Sequence, residues 1–230
     1  MYQISLLQAL ASGYYDGVIS VKKLKEIADT AIGTFEGADG EMIMLDNIVY
    51  KAKVDGIITI ASDDELIPFS NATKFKSAED ITISAKNIKS FKKGLKAYLK
   101  SFDNMFITLK INGLFKQITV RSIPKQTKPY KPLDYIVDNE QKVYTHKNIE
   151  GVIVGFLNPS FMKDLNTTDF HMHFISSNKL YGGHVLDFEF DNLDVSVSVD
   201  SELKLILPNT KEFNNRDFSV DKNTIKKIEE

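Results

Sequence analysis

The sequence predicts a mixed α/β fold of the α+β kind, and three observations predict it. Apolar residues near the start recur at helical spacing, the period changes to two from about Ile32, and short alternating segments with turn signals dominate from there on. The chain has 230 residues, enough for one large domain or two small ones.

Leu6, Leu7, Leu10 and Ala11 form a helical stripe that Gly13 can end. Ser20 is placed to cap a second helix with Val21, Leu24, Ile27 and Ala28 on one face. Residues 42–45, 48–53 and 57–60 alternate as strands, with Asp55-Gly56 as a hairpin signal. Asn112-Gly113 reads as a second hairpin, between segments 106–111 and 114–123. Between the two signals lies an amphipathic helix with Ile88, Phe91, Leu95, Leu99 and Phe102 inward; Lys92, Lys93, Lys96 and Lys100 form its solvated face. The run from Pro124 through Pro129 to Pro132 fits neither a central strand nor a helix interior, and marks the passage between two parts, 1–130 and 131–230. Beyond it, segments 142–145, 151–156, 169–175, 184–190, 195–199 and 203–207 read as six short antiparallel strands of a small barrel or sandwich, followed by a terminal helix or tail over 221–230.

Composition narrows the function classes. A net charge of −2 gives no global basic field for nucleic acid or an anionic membrane. With no cysteine, the fold does not depend on disulfides and any metal site must use nitrogen and oxygen ligands. No stretch approaches the ~20 apolar residues of a membrane span. Gln3, Ser5 and Gln8 interrupt the apolar N-terminus, which does not read as a signal peptide, so a cytoplasmic protein is expected.

Three of the four histidines, His171, His173 and His184, fall within fourteen residues. Residues two apart on a strand share a face, so His171 and His173 present their imidazoles side by side. Residues 176–180 read as a turn, and a two-residue loop at Asn178-Lys179 sets His184 opposite His173, with Cβ atoms roughly 4.5–5.5 Å apart. His146 has polar neighbours and is expected at the surface. A cupin-type site would want a glutamate shortly after H-x-H, and none occurs between Phe174 and Gly183. In a two-His-one-carboxylate site Asp169 would be the acid, but it competes with a third histidine better placed on the partner strand. Three imidazoles with an open position suit Zn²⁺ best. One conflict is visible: His184, Leu186, Phe188 and Phe190 share a face, while the side of the first strand opposite the histidines carries Phe170, Met172 and Phe174. Either both faces are partly buried or a bulge near Gly182-Gly183 shifts the register.

The stretches GTFEGADGEMIMLDN (33–47), VRSIPKQTKPYKPL (120–133), EGVIVGF (150–156) and FHMHFISSNKLYGGHVLDF (170–188), with the opening YQISLLQAL, resemble the alpha-acetolactate decarboxylase family across nearly the whole chain. The resemblance implies one zinc ion per chain on His171, His173 and His184, and conversion of 2-acetolactate to acetoin and CO₂. It assigns further site roles to Thr34, Glu41, Arg121 and Glu229 (or Glu230). It implies a mixed N-terminal sheet with helices that extends across a homodimer, and a C-terminal antiparallel barrel that carries the metal. The chemistry agrees: a metal that chelates the ketone and hydroxyl oxygens acts as Lewis acid and template for the enediolate, with no organic cofactor. Arg121 suits the substrate carboxylate or the enediolate charge and, with a pKa above ~12, is a poor proton donor; Glu229 or Glu41 is the expected acid. The alternatives are a zinc hydrolase or hydratase using metal-bound hydroxide, and a metal-stabilised binding module.

Overall fold

The computed structural model describes all residues except 164, 219–223, 226–227 and 229–230. The chain opens with β1 (Tyr2–Ile4), α1 (Leu7–Ala11), β2 (Ile19–Ser20) and α2 (Val21–Ile27). Gly13, at φ +85°, follows α1, and the Ser20 hydroxyl accepts from Lys23 N at the start of α2, so both sequence-read helix ends are formed. Then come β3 (Thr30–Thr34), β4 (Glu41–Leu45), β5 (Ile48–Ala52), β6 (Ile58–Ile60), β7 (Leu66–Ile67), β8 (Phe69–Thr73) and β9 (Glu79–Ala85). The amphipathic helix α3 (Ile88–Tyr98) starts in a capping box between Asn87 and Ser90. β10 (Phe106–Ser122), α4 (Leu133–Asn139), β11 (Lys142–Leu157), β12 (His171–Ser176), β13 (Gly182–Asp200), β14 (Lys204–Ile206) and a four-residue turn of helix, α5 (Lys211–Asn214), complete the order. Among the described residues no helix is long and apolar enough to cross a membrane.

The strands form two main sheets and a β2–β7 pair. The first is mixed, in the order β14-β1-β8-β3-β4-β5-β6; β14 pairs parallel with β1, and the other neighbours are antiparallel. The second is five-stranded and antiparallel, in the order β10-β11-β12-β13-β9, with an additional pairing between β10 and β13. Segments on both sides of residue 130 enter it, and the late strand β14 belongs to the first sheet.

The six short strands expected after the proline run need correcting. Segments 142–145 and 151–156 lie in the single strand β11, segments 184–190 and 195–199 lie in β13, and 203–207 contributes β14. Asn112-Gly113 is not a hairpin either. β10 runs straight through it and keeps one register with β11 from Ile107 opposite Leu157 to Ser122 opposite Lys142. Gly113 sits opposite Gly151 at φ +150°, and a Cβ there would lie 2.4 Å from Leu193 Cδ2 on β13. The glycine permits a close approach of strands rather than a turn.

The core of the second sheet is rich in phenylalanine. Phe91 of α3 meets Phe170, Phe188 and Phe190 with ring centroids 5.9, 5.2 and 6.1 Å apart, in edge-on geometry. α3 thereby buttresses the β12–β13 hairpin from the side opposite the histidines. The expected solvated lysines of α3 also reach this hairpin: Lys92 and Lys96 donate to Asp169 at 2.6 and 3.0 Å.

Candidate metal centre and active site

His171 and His173 alternate with Phe170, Met172 and Phe174 along β12, and all five side chains are buried. The phenylalanines and Met172 enter the core under α3, and the imidazoles face the first sheet. The turn that follows is tied by short polar contacts. Ser176 Oγ donates to Asn178 Oδ1 at 2.7 Å and accepts from Tyr181 N at 3.0 Å, and Lys179 adopts φ +59°. The chain returns with His173 opposite His184, the register read from the sequence. The facing conflict has a definite solution. Both faces are buried, and β13 also carries a bulge. Opposite β10, Val120 pairs with Val185 while Thr119 pairs with Asp187, so Leu186 is the extra residue. The bulge lets Val185 and Phe188 both enter the core while His184 stays on the other side, directly opposite Arg121.

The three rings are 4.9, 5.1 and 5.3 Å apart by centroid, and one ligand nitrogen from each lies within 4.8 Å of the others. His171 Nε2 and His173 Nε2 are 3.1 Å apart. His173 Nδ1 is 2.9 Å from the Met42 carbonyl oxygen of β4. A carbonyl only accepts, so Nδ1 carries the proton and the Nε2 lone pair is aimed into the cluster. Burial drives the His173 pKa down to about 3 and that of His171 well below its ordinary value, with Arg121 acting in the same direction on both. Neutral, converging imidazoles are the donor set that a divalent metal requires, and the residues present fit one.

Glu41 and Thr34 face each other across β4 and β3 of the first sheet. Glu41 Oε2 lies 3.5 Å from His173 Nε2. This is not an ion pair, because the imidazole is neutral. Burial pushes the Glu41 carboxyl up to about 7, against the lowering influence of Arg121. The Thr34 hydroxyl donates to the Gly40 carbonyl at 2.6 Å, holding the loop that leads into Glu41. Arg121, 4% exposed, donates through Nη1 to Gln141 Oε1 at 3.4 Å and through Nη2 to the Ile228 carbonyl. Thr34, Glu41, Arg121, His171 and His184 line one cavity between the two sheets.

The sequence-read site therefore converges, apart from Glu229 and Glu230, which lie outside the described residues. Asp169 is not part of it. Burial opposes its ionisation, but Lys92 and Lys96 overcome this and hold its carboxyl below the usual range. His146 stands apart, half-buried and 4.3 Å from the Tyr181 ring. The reading of the residues missed α4, which supplies Leu133 and Val137 to the cavity. Its signal was present: Leu133, Ile136 and Val137 have helical i, i+3, i+4 spacing directly after Pro132.

The alpha-acetolactate decarboxylase family model matches residues 1–220. The chain belongs to the alpha-acetolactate decarboxylase family. It is 37% identical to alpha-acetolactate decarboxylase of Methanosarcina mazei over 219 residues, which is 95% of this chain and 75% of that protein. To the enzyme of the same name from Bacillus subtilis strain 168 it is 34% identical over 227 residues, 96% of this chain and 88% of the other. The crystal structure of alpha-acetolactate decarboxylase from that strain superposes with a TM-score of 0.94 at 32% identity, covering 99% of this chain and 98% of that one. As a member of the family this protein is an enzyme, a decarboxylase that converts acetolactate to acetoin.

One glycine of this decarboxylase controls how closely β10 and β13 meet beside the histidine cluster. Gly183 has φ +153°, and a Cβ there would lie 2.4 Å from the Arg121 carbonyl oxygen. Gly183→Ala is expected to push β13 off β10 at the Arg121–His184 pair and to lower turnover by about 10²-fold, since a displacement near 1 Å at a reacting centre has that effect. Metal titration and steady-state kinetics check this; wild-type values for both would show that the contact is absorbed elsewhere.

Proposed function

We propose that the enzyme is a zinc-dependent acetolactate decarboxylase, with one Zn²⁺ per chain held by His171, His173 and His184. The observation that carries this reading is the convergence of three buried imidazoles beside a cavity that also holds Arg121 and Glu41. When bound, the ion supplies Lewis acidity, which makes the keto group a better acceptor for the electron pair released as CO₂ departs.

The chain's own groups do the rest. Arg121, buried in the cavity lining, carries a planar guanidinium suited to taking the substrate carboxylate in two parallel hydrogen bonds. Its charge also favours the negative charge that develops on the substrate oxygens. Glu41, with a pKa near neutrality, holds a proton it can release, and transfers it to the carbon that has lost CO₂. Glu229, or Glu230, is the second candidate for that proton on the sequence reading. Thr34 acts as a positioning residue, since its hydroxyl fixes the Gly40 carbonyl immediately before Glu41. On the sequence reading alone, the enzyme is a cytoplasmic homodimer.

The test uses the purified protein and racemic 2-acetolactate. CO₂ and acetoin are measured as isolated, after exhaustive chelation, and after Zn²⁺ is restored. Activity is expected to vanish on chelation, while far-UV circular dichroism stays unchanged, and to return with Zn²⁺. Turnover that persists after metal removal has been verified by elemental analysis would overturn the zinc reading.

A further inference from the structure

We infer that Leu133 and Val137 of α4 set the size of the alkyl group that the enzyme accepts on C2 of a 2-hydroxy-2-alkyl-3-oxo acid, admitting methyl and discriminating against ethyl. The inference rests on the proposed placement of the substrate oxygens towards Arg121 and the histidines. The cavity lining is of two chemical kinds. Thr34, Glu41, Arg121, His171 and His184 are polar, and Leu10, Ala38, Phe69, Ile123, Leu133, Val137 and Ile228 are apolar.

A branched keto acid carries its carboxylate, hydroxyl and carbonyl oxygens on three adjacent carbons, and two alkyl groups beside them. Once the oxygens face the polar side chains, the alkyl groups are left to the apolar ones, because burying a methyl against an arginine or an imidazole cluster would cost those groups their polar partners. Leu133 and Val137 are four residues apart on a helix and so share a face. They keep 8% and 6% of their surface, while Ile136 between them keeps none. Both side chains line the cavity. Leu10 of α1 keeps 8% beside them. Phe69 and Ile228, exposed by 0% and 1%, lie in the same packed cluster, so the apolar lining has little room to retreat. An added methylene must displace one of the apolar lining side chains that keep some surface, and among Leu10, Ile123, Leu133 and Val137 the smallest is Val137.

The experiment compares kcat/KM for 2-acetolactate and for its 2-ethyl homologue in the wild type, Val137→Ala and Val137→Ile. The ratio of the two substrates is the readout, since general damage to folding or metal binding lowers both together. Val137→Ala is expected to raise the ethyl-to-methyl ratio by about tenfold, and Val137→Ile to lower it by a similar factor. Should Val137→Ala fold poorly, Leu133→Val probes the same lining and is expected to shift the ratio in the same direction. Ratios within about twofold of wild type in every folded variant would overturn the inference. Failure of the wild type to act on 2-acetolactate would instead overturn the functional reading, a distinct result.

Discussion

Replacing His173 with alanine is expected to abolish turnover and to reduce bound metal from one ion per chain to a small fraction. His173 is the ring whose tautomer the fold fixes, through Met42, so that its free nitrogen points at its two neighbours. Two histidines remain in the variant, and two imidazoles do not hold a divalent ion with useful affinity at neutral pH. A loss of about 10³-fold or more in kcat/KM corresponds to the several kcal/mol that a metal supplies to charge stabilisation. The substitution also removes a fully buried ring and its hydrogen bond to the Met42 carbonyl, so a lower melting temperature should accompany the lost activity. Wild-type metal content together with wild-type turnover would dismantle the three-histidine centre.

Arg121→Lys is expected to lower kcat/KM by about 10²–10³-fold with metal content unchanged, an effect comparable to removing one pre-organised donor from a site of developing charge. Lysine preserves the charge but not the fork, and its point charge on a flexible stem does not reproduce two parallel hydrogen bonds to a carboxylate. Arg121→Gln removes the charge as well and is expected to fall further. Kinetics on the two variants separate geometry from charge. If lysine restores full activity, Arg121 acts only as a positive charge, and the bidentate contact is wrong. Both variants leave Gln141 and the Ile228 carbonyl without their present donor, so folding is checked by circular dichroism alongside.

The parts of the site that were legible in the sequence are those that local rules govern. H-x-H on a strand forces a shared face, and the turn around Asn178-Lys179 sets His173 opposite His184; its loop spans four residues, 177–180, rather than the two expected, and because it is lengthened equally on both sides the register is kept. Helix ends at Gly13 and Ser20 were legible for the same reason: the signal and its effect lie within four residues. Thr34, Glu41 and Arg121 were legible only through the resemblance of whole blocks to a family. Taken singly, a strand threonine, a turn carboxylate and a strand arginine are common surface residues. Asn112-Gly113 misled because the same dipeptide serves a turn and a close strand approach, and only Leu193, some eighty residues on, decides between them.

The sequence by itself determined the composition of the histidine cluster: three imidazoles, no thiolate, and a hairpin that brings two of them face to face. Only the tertiary structure decided what those imidazoles look at. The first sheet lays Glu41, Thr34 and the Met42 carbonyl against the second, a bulge at Leu186 keeps His184 opposite Arg121, and α4 adds Leu133 and Val137 to the cavity lining. Pairing within a hairpin is set by neighbours along the chain. The approach of two sheets is set by the summed burial of side chains far apart in sequence, and no short window of residues encodes that sum.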